Sequence, residues 1–396
     1  MQFSIDRDAL LSRVRRVHAV LGTKETIPAL SYLRFEADGQ MLTIAGNDLA
    51  VYQEIIIPEF ACEPFSVGIH GQKLLTSQDV LAKGQITITL EEGHALLTQG
   101  KKTKIKLPTL PEKDLTARIT LPDLATNPQA IQLLHEGISG AVLAELVRLV
   151  APAMSDIEAR DKIAAVLLQQ KGENLEAVAF DYASVNHATT PSASLPEGHC
   201  FLPREIVGKV CGVLGELELV KVARTQDKAL FLFADGFIAI QQKQQDLPGG
   251  LDAILRGGNH PNEIATCRSA FLKPLESAVK LCDNKSSGVF VKLTSDGDGE
   301  VSLVATGDGQ SAQFPLGPHS WQGKLPIPIL TLLPSLQRCK SEQMVFSWDK
   351  KPLGLDNQGR EKFYGPIVVT SKEAVGSTPI YFTSRNTGLN FTEEEN

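Results

Sequence analysis

Apolar and polar positions follow two periods along this chain, and the pairing of the two periods recurs. Between Ser4 and Pro58 the pattern predicts a strand at residues 2–5 and then a helix. The apolar residues of that helix, Leu10, Leu11, Val14, Val17 and Leu21, return every three or four positions. Short strands follow. The helical stripe returns as Leu143, Leu146, Val147 and Val150, and again as Leu272, Leu275, Val279 and Cys282. Each helix precedes two strands joined by a polar turn: 33–35 with 41–44, 165–167 with 175–178, and 289–291 with 301–304. Each second strand runs into an aspartate, Asp48, Asp181 or Asp308. The intervals from Leu11 to Leu143 and from Asp48 to Asp181 agree within a residue, so the chain reads as one unit used three times.

The first unit is itself double. Phe65-Ser66-Val67 echoes Phe3-Ser4-Ile5, a second helix is expected at 72–81, and strands at 86–90, 95–98 and 103–107. Each unit is therefore expected to hold two β-α-β-β-β halves, an α+β fold. Asp6 is placed to cap the first helix and Gly22 to close it. The other helices are expected at 139–153, 204–214, 269–282 and 327–338, with Pro274 and Pro334 awkward inside the last two. Proline-marked exits at Leu110-Pro111 and Leu247-Pro248 put boundaries near 122 and 256. The expected domains are 1–122, 123–255 and 256–372. The pattern fades after Val369, and 373–396 reads as a C-terminal extension with no repeat counterpart.

Length supports the count, since 396 residues suit three domains of ordinary size. The six cysteines have no paired spacing and read as reduced thiols of a cytoplasmic protein. No metal-ligand spacing, signal peptide or membrane-spanning apolar run is evident, so no metal, cofactor or membrane is expected. No GxGxxG, P-loop, GxSxG or HExxH pattern occurs. Asp48 and Asp181 hold equivalent positions, but equivalent residues lie a domain apart, too far for an acid–base pair, and read as turn residues. No catalytic residue is expected.

Charge changes the picture. The net charge of −7 argues for solubility and, taken alone, against nucleic acid. Yet the predicted helices and nearby loops carry Arg7, Arg13, Arg15, Arg16, Lys24, Lys73, Arg148, Arg204, Lys209, Lys273, Lys280 and Arg338. Positive helices in an acidic chain imply a segregated field. Lysine and arginine neutralise phosphates without reading sequence, and no aromatic platform for stacked bases is evident, so duplex backbone is the expected ligand.

The stretches Ile27-Pro28-Ala29-Leu30, Leu42-Thr43-Ile44-Ala45-Gly46-Asn47-Asp48-Leu49, Leu107-Pro108-Thr109-Leu110-Pro111 and Leu202-Pro203-Arg204, taken together, resemble the bacterial DNA polymerase III beta subunit, the sliding clamp. The resemblance covers residues 1–372 and is strongest at the N-terminal end. It implies three clamp domains and a head-to-tail homodimer closed into a ring, with helices lining the hole and antiparallel sheets outside. It implies a non-catalytic processivity factor that encircles double-stranded DNA and is opened by a clamp loader. The polymerase and repair proteins would dock through short peptides. Carried over by position, Arg13, Arg15, Lys24, Lys73, Arg204 and Lys209 would face DNA. Lys73 and Ile105 would meet Leu281 and Cys282 of a second copy. A peptide pocket would draw on Leu167, Asp181, Val185, Pro248, Ile254, Val368 and Thr370.

The sequence departs from the family at Tyr182-Ala183-Ser184, at Glu205, and at Val369-Thr370-Ser371, where the family's C-terminal Met-Pro-Met is expected. A divergent relative with altered docking is therefore the alternative, and an enzyme on a β-rich repeat scaffold the remote one.

Overall fold

A computed structural model describes the chain except residues 23–26, 123–126, 128, 155–163, 182–183, 243–254, 256–259, 282–289, 296–298, 308–309, 356, 359–360 and 393–396. One motif, β-α-β-β-β, occurs six times among the described residues. The first two copies are β1 (Gln2–Asp6), α1 (Arg7–His18), β2 (Tyr32–Ala37), β3 (Leu42–Asn47) and β4 (Val51–Ile57), then β5 (Phe65–His70), α2 (Gly71–Thr76), β6 (Gln85–Glu91), β7 (His94–Gln99) and β8 (Thr103–Pro111). The middle pair is β9 (Gln132–Ile138), α3 (Gly140–Val150), β10 (Ala165–Lys171), β11 (Asn174–Phe180) and β12 (Ser184–Pro191), then β13 (Gly198–Pro203), α4 (Arg204–Leu214), β14 (Val220–Arg224), β15 (Lys228–Phe233) and β16 (Gly236–Gln241). The last pair is β17 (Asn262–Cys267), α5 (Arg268–Leu281), β18 (Phe290–Ser295), β19 (Glu300–Gly307) and β20 (Gln310–Pro318), then β21 (Gly323–Pro328), α6 (Ile329–Arg338), β22 (Gln343–Trp348), an added β23 (Lys351–Leu355), β24 (Glu361–Val375) and β25 (Thr378–Thr392).

Local chemistry explains the helix limits. The Asp6 carboxylate accepts the Ala9 N–H at 2.9 Å and caps α1. The helix stops at His18, before Gly22, and the stripe Leu10, Leu11, Val14, Val17 and Leu21 is buried as its spacing requires. In α5 Phe271, Pro274 and Leu275 are buried, while Leu272 and Val279 are half-buried. Pro274 lies inside that helix rather than before it, and Pro334 lies inside α6. The second helix is one turn shorter than its pattern, because Ser77–Asp79 tightens into a 3₁₀ turn.

The chain divides into two compact units, Met1–Ala141 with Gly198–Gln244, and Val142–Glu197 with Gln245–Asn396. In the first unit all the described strands except β13 form one sheet in the order β1-β6-β7-β8-β5-β2-β3-β4-β16-β15-β14-β9. Its two repeats join where β16 pairs antiparallel with β4, Phe237 opposite Glu54 and Ala239 opposite Tyr52. Gly236 is required there: a Cβ would lie 1.9 Å from the Glu54 carbonyl oxygen. Phe3, Leu33, Phe35, Ile44, Ile69 and Ile88, with the helical stripe, form the main core of this unit.

The second unit contains the run β10-β11-β12-β25-β24-β22-β17, with β23 on β24, and a separate sheet β20-β19-β18-β21. Trp348, Phe346 and Phe271 fill its interior, with ring centroids 5.5 and 4.8 Å apart in succession. The expectation for residues 373–396 is corrected here. Val375 ends β24, a turn through Gly376 (φ +59°) reverses the chain, and Thr378–Thr392 forms β25. This strand is no appendage. It lies between β24 and β12, with Ile380, Phe382 and Ser384 buried. The order β12-β25-β24-β22-β17 reproduces β4-β16-β15-β14-β9, so β25 is the repeat counterpart of β16. The sequence hid this because the β24–β25 hairpin is far longer than β15–β16 and alternates polar residues with few apolar ones.

Candidate nucleic-acid interface and docking surfaces

Burial of one face of α1 turns its arginines to the other, and packing then sorts them. Arg16 donates to both carboxylate oxygens of Asp235 at 3.0 Å each and lies over the Phe233 ring, 5.0 Å from its centroid. Arg13 donates to the Ala9 carbonyl of its own helix at 3.0 Å. Arg15 is exposed and donates to the Gln78 side chain. Lys73 in α2 and Arg204 at the start of α4 are exposed. Lys209, expected among the DNA contacts, is instead half-buried. Its ammonium donates to Asp48 at 2.6 Å and to the Leu21 carbonyl at 3.3 Å. A half-buried ammonium needs such a counter-charge, which makes Lys209 a junction residue rather than a bare positive one. Between α1 and α4 a small cleft of about 250 Å³ is lined by Ser12, Arg15, Arg16, Ala19, Gly212, Val213 and Glu216. Lys24 lies outside the described residues.

The repeat aspartates hold turns. Asp48 accepts the N–H groups of Ala50 (3.1 Å) and Val51 (2.8 Å), and Asp181 accepts that of Ser184 (2.8 Å). In both, the aspartate N–H returns to the carbonyl of the third residue on, at 3.0 Å. Asp308 lies outside the described residues. Among the described residues no group of three His, Cys, Asp or Glu side chains could hold a metal ion, and no helix is long and apolar enough to cross a membrane.

Two sheet edges stand out. β8 pairs with β7 along 103–108 but with β5 only through Thr109–Pro111, which leaves Thr103–Leu107 with one open side among the described residues. Lys101, Lys102, Lys104 and Lys106 are exposed there, while Ile105 packs half-buried on the core. In the second unit β20 is the terminal strand of its sheet. Leu281 is the last residue of α5, and Cys282 lies outside the described residues.

The expected pocket residues are partly gathered. Val185 and Val368 flank Arg385, each opposite it in register, and Thr370 lies opposite Thr383. Leu167, Val185 and Val368 are buried. Between Val368 and Thr370 on β24 and the β12 strand runs β25, whose Tyr381, Thr383 and Arg385 border β12. Pro248 and Ile254 lie outside the described residues.

Sequence reasoning missed the linker of the first unit. Arg118 donates to Glu54 at 2.9 and 3.0 Å and to Glu36 at 3.2 Å, while the Tyr52 hydroxyl donates to Glu54 at 2.6 Å. Burial first, then the Glu54 charge, pushes the Tyr52 phenol well above its usual range, and the Glu54 bonds hold Arg118 charged. Beside this cluster Ile119, Leu121 and Ile131 cover Tyr52, Leu230, Phe237 and Ala239. The signal was present as an apolar-basic run, Leu115 to Leu121, inside a stretch read only as a boundary.

The family model for the DNA polymerase III beta subunit, N-terminal domain, matches residues 1–118. Among similar proteins, the beta sliding clamp of Pseudomonas aeruginosa is 28% identical over 184 residues, 46% of this chain and 47% of its own length. That of Escherichia coli (strain K12) is 23% identical over 234 residues, 58% of each. The chain thus spans about half the length of the relatives it matches. The crystal structure of a P. aeruginosa sliding clamp bound to griselimycin superposes with TM-score 0.79 at 20% identity, covering 99% of this chain and 100% of that one. The Helicobacter pylori beta clamp with carprofen gives 0.77 at 14%, covering 99% and 100%. At such identities the superpositions show a shared fold.

Proposed function

We propose that the chain, which is similar to the sliding clamp family of DNA polymerase III beta subunits in its N-terminal domain and in its fold, is a divergent DNA sliding clamp. In this reading it is a non-catalytic, cytoplasmic processivity factor of three repeated domains. Two copies join head to tail, enclose duplex DNA and tether a polymerase and repair proteins, and a clamp loader opens the ring.

The observation that carries the reading is the bookkeeping of strand edges. Within the chain the third strand of one half-unit pairs with the third strand of another twice, β4 with β16 and β12 with β25. The same rule leaves β20 and the Thr103–Leu107 edge of β8. They are complementary under that rule and belong to opposite ends of the chain, so each edge takes a second copy's partner edge. Pro315 has no N–H to give, which favours pairing through Gln310–Phe314. Heterologous contacts of this kind close a ring when the rotation allows and otherwise grow filaments. Exposed Arg15, Lys73 and Arg204 suit a sliding contact: positive charge without base readout binds weakly enough to move.

The test is retention on DNA after loading. A clamp stays on closed circular DNA and runs off linear DNA, and its mass in solution is twice 42.9 kDa. Equal retention on both forms by a monomer would refute the reading.

A further inference from the structure

The two strand pairs that join one repeat to the next each bury an amide side chain at the same place. The shared turn bonds of Asp48 and Asp181 set Val51 equivalent to Ser184, and therefore Gln53 of β4 equivalent to Asn186 of β12. Both side chains are fully buried. Gln53 stands opposite Ile238 of β16, and Asn186 opposite Ser384 of β25.

In the second unit Asn186 serves a helix end. Its amide nitrogen donates to the Ser335 hydroxyl at 2.8 Å and, at a long 3.4 Å each, to the Leu149 and Val150 carbonyls; only its Oδ1 is left over. Those carbonyls lie at the C-terminal end of α3, and Pro152, three residues after Leu149, has no N–H to give back to it.

In the first unit the equivalent acceptors are already taken. The helical stripes align Leu11 with Leu143, hence Val17 with Leu149 and His18 with Val150. The Val17 carbonyl accepts the Val20 N–H at 3.3 Å, and the His18 carbonyl accepts that of Leu21 at 3.0 Å. The hydroxyl is missing too. β13 and β21 are both six residues long, end in proline and lead straight into α4 and α6, which puts Val210 where Ser335 stands. Val210 is buried. Both Nε2 and Oε1 of Gln53 are therefore buried without a hydrogen-bond partner among the described residues.

A buried amide left unpaired costs more free energy than its bonds would have contributed. We infer that the β4–β16 junction is the soft joint of this chain. It parts locally, with water reaching Gln53, at a lower free energy than the β12–β25 junction, because opening restores to the amide the hydrogen bonds that the closed state withholds. Local openings of this kind differ widely in free energy within one fold. Outside the joint, the ion pairs of Arg16 with Asp235 and of Lys209 with Asp48 hold it shut. The joint belongs to the single chain and does not depend on the clamp reading.

The test is amide hydrogen exchange, read by mass spectrometry on the full chain, at residues 236–241 of β16 and 381–386 of β25. Residues 236–241 are expected to exchange about tenfold faster or more. Gln53→Met, similar in shape and without the amide, should slow that exchange about tenfold, leave 381–386 unchanged and raise the melting temperature. Asn186→Leu, which takes a donor from the Leu149 carbonyl, should speed exchange at 381–386 and leave 236–241 unchanged. The inference is overturned if Gln53→Met leaves exchange at 236–241 unchanged or speeds it. It is equally overturned if 381–386 is the faster segment in the parent, or if Asn186→Leu slows exchange there.

Discussion

Arg16 and Asp235 are joined by two parallel hydrogen bonds of 3.0 Å, and Lys209 and Asp48 by one of 2.6 Å in the opposite direction. In each pair a helix of one repeat reaches the strand turn of the other, so the β4–β16 junction is clasped twice. Asp235→Asn removes one charge and leaves a guanidinium that is only 18% exposed. It is expected to cost about 1–3 kcal/mol, read as a lower urea midpoint with unchanged slope. A midpoint equal to that of the parent would show the clasp to be idle.

Exposure separates Arg15 and Arg204, the proposed DNA contacts, from Lys209, which is paired with Asp48. Reversing Arg15 and Arg204 together should weaken binding to duplex DNA about tenfold or more, without creating sequence preference. The parent's log–log salt slope should be a few at most, since few phosphates are touched at once. Lys209→Glu should act first on stability, because it places two carboxylates together at Asp48. Salt-independent binding by the parent protein would contradict the assignment.

The C-terminal strand is structural. Deleting 378–396 removes Ile380 and Phe382, both essentially inaccessible, and strips partners from β12 and β24 at once. Lost burial of these two side chains alone is worth about 3–6 kcal/mol. The truncated protein is expected to be insoluble or to melt far lower. A soluble truncate with parental melting would mean that β25 contributes nothing.

At the proposed seam, Leu281→Asp would set a carboxylate at the end of α5, where the second copy is expected. The variant should be monomeric in sedimentation at low micromolar concentration, with secondary structure kept, because an unpaired charge in a dry interface costs several kcal/mol. A fully dimeric variant would exclude this seam.

Acid should loosen the first unit. Burial, and then the neighbouring His70, lowers the pKa of His18 below its ordinary 6.5. The unfolded chain therefore binds more protons below that value. The stability from neutral His18 is complete above about pH 6.5 and is lost as pH falls from there toward the folded pKa. The melting temperature should fall across that window, and His18→Gln should flatten the fall. An equally steep fall in the variant would assign the effect elsewhere, for example to His135 or His199, which burial also lowers.

Local and periodic information was enough to read the repeated β-α-β-β-β plan, most helix limits, the Asp6 cap and the basic character of α1. Each depends on neighbours a few residues away, and a buried stripe at helical spacing is legible wherever the core is aliphatic. The sequence also carried the turn role of Asp48 and Asp181, whose donors lie two or three residues on. Only tertiary structure decided which charges are bare. Arg15 and Arg16 are adjacent and chemically alike, yet one is exposed and the other is clasped by a residue 219 positions away. It also decided the fate of the C-terminus: Thr378–Thr392 is too polar to announce a core strand, and it becomes one because β12 and β24 offer unpaired backbone on both sides.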